Sequence, residues 1–184
     1  GNVVDTVKSY IGMRKFSMQN DNYGIPRFFL NNEPYFQKGL LDQGYWSDGG
    51  MTPPTDEAMI YDIETMKRLG FNMMRKHIKV ELDRWYYHCD RLGMLVWQDM
   101  PSIADNSTNI WANKTYEGGT DTPVTDEGKE NYYKEWADII SAFKVFPCIV
   151  TWVPFNEAWG QFDTEEVVKF TRAQDPTRLI NYAS

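Results

Sequence analysis

The sequence predicts an α/β fold, a partial (β/α)8 TIM barrel comprising strands one to about five, preceded by a short β segment. Three observations predict it. From Phe36 onward, apolar strand-like runs alternate with helical stripes. The helical stretches carry their own start and stop signals. One apolar run, Pro147-Cys-Ile-Val-Thr-Trp-Val-Pro-Phe-Asn-Glu-Ala-Trp-Gly160, ends abruptly in an amide and a carboxyl, Asn156-Glu157. Strands separated by helices imply right-handed βαβ units and a parallel sheet. Four such units and a fifth strand in 184 residues make five-eighths of a barrel whose usual length is about 250 residues. A doubly wound open sheet fits the same alternation, but the glycine-rich dinucleotide fingerprint is absent after the first strand.

Residues 1–18 place Val3, Val4, Val7, Tyr10, Ile11, Met13 and Phe16 among polar neighbours, a loose alternation that reads as one long or two short strands. Phe28-Phe-Leu and Tyr35-Phe bracket Asn31-Asn-Glu-Pro34, turn chemistry that predicts a hairpin. The first barrel strand is expected over 36–41, followed by the loop Asp42-Gln-Gly-Tyr-Trp-Ser-Asp-Gly-Gly50. Thr55 can cap a helix with Asp56 and Glu57 in its first turn, an apolar stripe of Met59, Ile63 and Met66, and Gly70 as its stop. A second strand is expected over 71–77, and a second helix with the stripe Leu82, Trp85, Cys89 and Leu92, ended by Gly93. Met94 to Met100 reads as the third strand, and a long polar connection over 101–125 follows it. Tyr132 or Tyr133, Trp136, Ile140 and Phe143 mark the third helix, 148–155 the fourth strand, Thr164 the opening of a fourth helix, and 179–183 the fifth strand.

Composition excludes several function classes. A net charge of −7, from 26 acidic and 19 basic residues, gives no electrostatic footprint for phosphate backbones, so nucleic acid is not an expected partner. Cys89 and Cys148 lie inside apolar patterns and read as packed hydrophobes, not as a disulfide or metal framework. No run of 18 or more apolar residues and no basic-then-apolar leader occurs, so no membrane partner or export signal is expected. No metal-ligand spacing, nucleophile elbow or phosphate loop is present, and no cofactor is expected. Aromatics make up 15% of the chain, with seven Trp, enough for some rings to face a ligand such as the C–H face of a sugar.

The C-terminal ends of barrel strands form the floor of an active site. There the sequence places Glu157 and Asn156, flanked by Trp152 and Trp159; Arg75 and His77 on one face of the second strand; and Trp97 and Asp99 on one face of the third. Trp46 lies in the loop after the first strand. The plainer readings are a helix-cap network after Phe155, a structural ion pair at Arg75 and packing at the Trp residues. His88, between Tyr87 and Cys89 on a helix, reads as surface or core edge. The tip inventory suits glycoside hydrolysis better than redox or phosphoryl transfer. That reaction needs a general acid for the leaving oxygen and a second carboxylate at the oxocarbenium-like centre.

The chain resembles glycoside hydrolase family 2, the β-galactosidase, β-glucuronidase and β-mannosidase group. Asp5-Thr-Val-Lys-Ser-Tyr-Ile-Gly-Met-Arg14 is similar to the last strand of the β-sandwich that precedes the family's barrel, and Phe29-Leu-Asn-Asn-Glu-Pro-Tyr-Phe-Gln-Lys-Gly39 to the barrel entry. Tyr87-His-Cys-Asp-Arg-Leu-Gly-Met-Leu-Val96 resembles the helix leading to the third strand, and Trp152-Val-Pro-Phe-Asn-Glu-Ala-Trp-Gly160 the segment carrying the acid/base Glu. The resemblance implies a sandwich strand and linker over 1–24 and the front of a catalytic barrel over 25–184. It implies Glu157 as general acid/base, Asn156 as a partner of the sugar 2-hydroxyl, and Arg75 beneath the reacting sugar near the nucleophile. His77, Trp46, Trp97 and Asp99 complete the expected substrate-binding set. Two departures stand out: His77 follows Arg75 by two residues where many members have three, and Asp42-Gln43 stands where many galactosidase-like members place a His.

The expected function is therefore hydrolysis of O-glycosidic bonds by a retaining exo-β-glycosidase, β-galactosidase-like. The chain supplies the acid/base, and the nucleophilic Glu comes from a strand beyond the fifth. The expected partners are a glycoside or oligosaccharide substrate and the rest of the same polypeptide, so the fragment alone should be inactive. The alternatives are a non-catalytic carbohydrate-binding barrel and an endo-acting polysaccharide hydrolase of the same clan.

Overall fold

A computed structural model describes residues 2–101, 124–156 and 160–183. Two sheets are formed. The first is antiparallel and small: β1 (Phe16–Asn20), β2 (Pro26–Leu30) and β3 (Glu33–Pro34), in that order. Asn31 and Asn32 turn the chain between β2 and β3 with φ of 53° and 70°. Asn tolerates this left-handed region better than other side chains, which is why the Asn-Asn pair reads as a hairpin turn. Of the expected strand pattern over 1–18, only the end from Phe16 is a strand; residues 2–15 have no regular structure. Alternation alone does not make a strand where no neighbour completes the hydrogen-bond ladder. The β1–β2 hairpin straddles position 24/25, the expected domain boundary.

The second sheet holds β4 (Gly39–Asp42), β5 (Met73–Lys76), β6 (Leu95–Asp99), β7 (Ile149–Val153) and β8 (Leu179–Ile180), all parallel and in sequential order. Between them run α1 (Asp56–Arg68), α2 (Asp83–Leu92), α3 (Asp126–Phe143) and α4 (Thr164–Gln174). A doubly wound sheet would reverse its order at a switch point and place helices on both faces. Here the order never reverses, and the helices share one face.

That face is the main core. Met59, Ile63, Trp85, Tyr86, Trp136, Ile140 and Val167 from the helices pack against Met74, Val96, Ile149 and Trp152 from the strands. The opposite face carries a second cluster, with Phe16, Phe28, Leu30 and Tyr35 of the first sheet against Met73, Leu95, Val150, Trp97 and Leu179. Among the described residues no helix contributes to it. A wall with helices outside and strand residues inside is a barrel wall, and the small sheet packs near its N-terminal end. In β7 the partners of consecutive Val96 and Trp97 are Ile149 and Thr151, so Val150 is an extra, bulged residue.

Local signals fix the helices. Thr55 Oγ1 accepts from the Ala58 amide at 3.2 Å, and α2 ends at Gly93, whose φ of 71° a β-carbon would disfavour. His88 is buried, with Nε2 3.7 Å from Asp56 Oδ2. Among the described residues no helix is long and apolar enough to cross a membrane.

Candidate active site

The C-terminal ends of β5, β6 and β7 bring four of the expected residues together. Arg75 lies on the inner face of β5, beside β6. Its Nε donates to Asp99 Oδ1 at 2.9 Å and its Nη2 to Asp99 Oδ2 at 3.0 Å, a two-point clamp on a fully buried carboxylate. The same Nη2 also donates to Asn156 Oδ1 at 3.1 Å. His77 Nε2 lies 3.0 Å from that oxygen, and Gln43 Nε2 lies 3.2 Å from His77 Nδ1. Asn156 is itself buried. Burial pushes the Asp99 carboxyl above its ordinary range, against the pull of the Arg75 guanidinium.

A strained backbone shapes this cluster. Ile78, just past His77, has a φ of 45°, a region that a β-branched residue rarely enters. Its amide donates to Asp99 Oδ2 at 3.1 Å. The turn brings His77 inward two residues after Arg75 and sends the chain outward at once.

A second, buried polar network holds that turn from the helix side. Lys76 Nζ donates to Asp42 Oδ2 at 2.7 Å and to Glu81 Oε1 at 3.1 Å, and it lies 4.2 Å from the centre of the Trp85 ring. Lys79 Nζ donates to the same Glu81 oxygen and to the Gly44 carbonyl, both at 2.7 Å. Tyr86 donates to Gln98 Oε1, and Gln98 Nε2 donates to the carbonyls of Lys79 and Asp99. Gly44 has a φ of 65°, which a side chain would strain, and a β-carbon there would lie 2.5 Å from Glu81 Oε1. Two lysines share their charge with two carboxylates, which satisfies groups that would otherwise be costly to bury. Sequence reasoning did not find this network. Its signal was the alternation of Lys79 and Glu81 with the apolar Ile78, Val80 and Leu82 just after Lys76.

The remaining expected residues are placed elsewhere. Trp97 lies inside the barrel, its Nε1 donating at 2.8 Å to Gln37, which precedes β4, and its ring meeting the edge of Phe28. Trp46 is half-buried in the loop after β4 and packs against the helix-side core, its Nε1 without a partner. Trp152 faces the helices, donating from Nε1 to Asp175 at 3.0 Å, and so does not flank the site. Glu157 and Trp159 lie outside the described residues. Among the described residues no group of three or more His, Cys, Asp or Glu could hold a metal ion. A cavity of about 470 Å³ lined by Tyr10, Arg14, Asp90, Pro147 and Cys148 lies at the opposite end of the strands, where barrel residues serve stability and not chemistry.

A parallel, sequentially ordered wall with its polar cluster at the C-terminal strand ends defines a (β/α)-barrel protein with a candidate site at the barrel mouth. Residues 27–184 match the glycosyl hydrolases family 2, TIM barrel domain. The chain belongs to that family. It is 26% identical over 186 residues to a beta-galactosidase of Priestia megaterium, covering 99% of this chain and 17% of that protein. It is 27% identical over 183 residues to a putative beta-glucuronidase of Formosa agariphila, covering 97% and 16%. Among solved structures, an uncultured Clostridium sp. beta-glucuronidase superposes with a TM-score of 0.74 at 20% identity, over 93% of this chain and 28% of the other. The chain thus spans about a sixth of the length of the curated relatives it matches.

Proposed function

We propose that this chain is the front of the catalytic barrel of a retaining exo-β-glycosidase, β-galactosidase-like, in which Glu157 is the general acid/base. In this reading residues 1–24 trail from a preceding β-sandwich, and later strands of the same polypeptide supply the nucleophilic carboxylate. The observation that carries it is the convergence of Arg75 and His77 on Asn156, the residue directly before Glu157. That amide is held at the position from which it can meet the sugar 2-hydroxyl, while Glu157 protonates the departing oxygen. Arg75, steadied by Asp99, sits beneath the sugar and favours a second carboxylate nearby. Retention requires the two carboxyl groups to stand about 5 Å apart. Family membership and the names of the relatives support the same chemistry.

The test is Glu157→Gln in the full-length parent. Hydrolysis of a glycoside with a poor leaving group should fall by about a thousandfold or more, and that of an activated aryl glycoside far less, because only the former needs proton donation in the first step. Near-normal rates on both would sink the assignment.

A further inference from the structure

We infer that Gln43 is a positioning residue of this site: acting through His77, it holds the Asn156 amide with its amino group toward the substrate. The inference rests on the glycosidase reading and deepens it. Its starting point is Arg75, whose guanidinium carries donors only. The Asn156 atom 3.1 Å from Arg75 Nη2 must therefore be the carbonyl oxygen. His77 Nε2 lies 3.0 Å from that same oxygen, and a bare ring nitrogen would repel it, so Nε2 carries a proton. In the neutral ring Nδ1 is then the acceptor, and the amide nitrogen of Gln43 stands 3.2 Å away to donate. Donation thus runs from Gln43 to His77 and from His77 to the Asn156 oxygen, which Arg75 Nη2 also meets.

Two donors on the Asn156 oxygen leave the amino group on the other side of the amide, and a flip would set N–H against N–H at both contacts. Asn156 thus presents a donor, which selects a substrate oxygen and not a substrate N–H. The backbone keeps the chain in register: the His77 amide donates to the Asp42 carbonyl at 2.9 Å, and Asp42 accepts from Lys76 and from the Gly44 amide. The two positions at which this sequence departs from the pattern it resembles are thereby bonded to each other. A ring that arrives one residue early is met by an amide of matching polarity.

The experiment uses the full-length parent and a pair of activated aryl glycosides, one with the 2-hydroxyl and one 2-deoxy, and reads the ratio of their kcat/KM values. Gln43→Leu frees the ring to take either tautomer, and the hydroxyl-to-deoxy ratio should fall roughly tenfold, the factor for one ordinary hydrogen bond. Gln43→Glu gives a sharper signature. A carboxylate facing Nδ1 demands a proton there. A neutral ring then keeps its one proton on Nδ1, and the bare Nε2 faces the Asn156 oxygen. The ratio should therefore fall further in Gln43→Glu than in Gln43→Leu. Equal losses on the two substrates, or an unchanged ratio in both variants, would overturn the role of Gln43. Failure of the unsubstituted parent to hydrolyse any aryl glycoside would instead overturn the glycosidase reading beneath it.

Discussion

Arg75 and Asp99 are joined through two nitrogens of one guanidinium and both oxygens of one carboxylate, at 2.9 and 3.0 Å, on adjacent parallel strands. The pair couples the strand tips: Asp99 also accepts from the Ile78 amide, and Arg75 also reaches Asn156. Fold stability and site geometry therefore share the same two side chains.

Asp99→Asn in the parent should be severe on both counts. It removes the charge of the fully buried carboxylate that Arg75 clamps, a loss of roughly 3–5 kcal/mol for a broken buried pair. The kcat/KM should fall more than about a hundredfold as Arg75 loses its hold on Asn156. Chemical denaturation and steady-state kinetics check both, and parental values in either would contradict the coupling.

At Ile78 the usual order of substitutions should invert. Alanine removes the side chain but keeps the strain of φ 45°; glycine removes nearly the same side chain and relieves it. Ile78→Gly should be more stable than Ile78→Ala by about 1 kcal/mol, although glycine is normally the more destabilising of the two. Paired denaturation midpoints decide the order.

Acid should weaken the β7–β8 connection in a defined window. Burial of Asp175 works to raise its carboxyl, but hydrogen bonds from Thr177 and Trp152 and the Arg178 charge outweigh it and hold the group down at about 2. A folded value below the ordinary one means that its stabilisation is complete above about pH 4 and is lost as pH falls toward 2. In the parent, Asp175→Asn should cost about 2 kcal/mol at neutral pH, on the same linkage, and the gap to the unsubstituted protein should close near pH 2.

Expressed alone, these 184 residues should fail to melt cooperatively as a monomer. Among the described residues, strands β4 and β8 each pair on one side only, and Met18, Phe36, Leu41 and Tyr45 are more than half exposed. Sedimentation and calorimetry of the isolated chain check this, and a sharp, reversible monomeric transition would refute it.

The helices and the order of the strands were legible because their signals are local: the Thr55 cap, the Gly70 and Gly93 stops, and stripes such as Tyr132, Trp136, Ile140 and Phe143. Period-two alternation also put Trp97 and Asp99 on one face of the third strand; the structure shows that face turned away from the helices. Strand ends were less legible. The first barrel strand begins at Gly39 and not at Phe36, since an edge strand has only one neighbour to define its extent. Trp152 turned out to face the helices, because a strand buried on both faces hides its orientation from the sequence. The link from Gln43 to His77 and the lysine–carboxylate network join residues from two neighbouring strands and the loops after them, and the left-handed turn at Ile78 contradicts the extended preference of a β-branched residue. Only the folded geometry carries that information.

The unbroken order of the parallel strands has a consequence for synthesis. Each strand docks on the one made just before it, so the wall can grow outward as the chain leaves the ribosome, with the N-terminal part folding first. Both halves of the guanidinium–carboxylate clamp are synthesised before Asn156, so the amide is the last of its partners to reach the cluster.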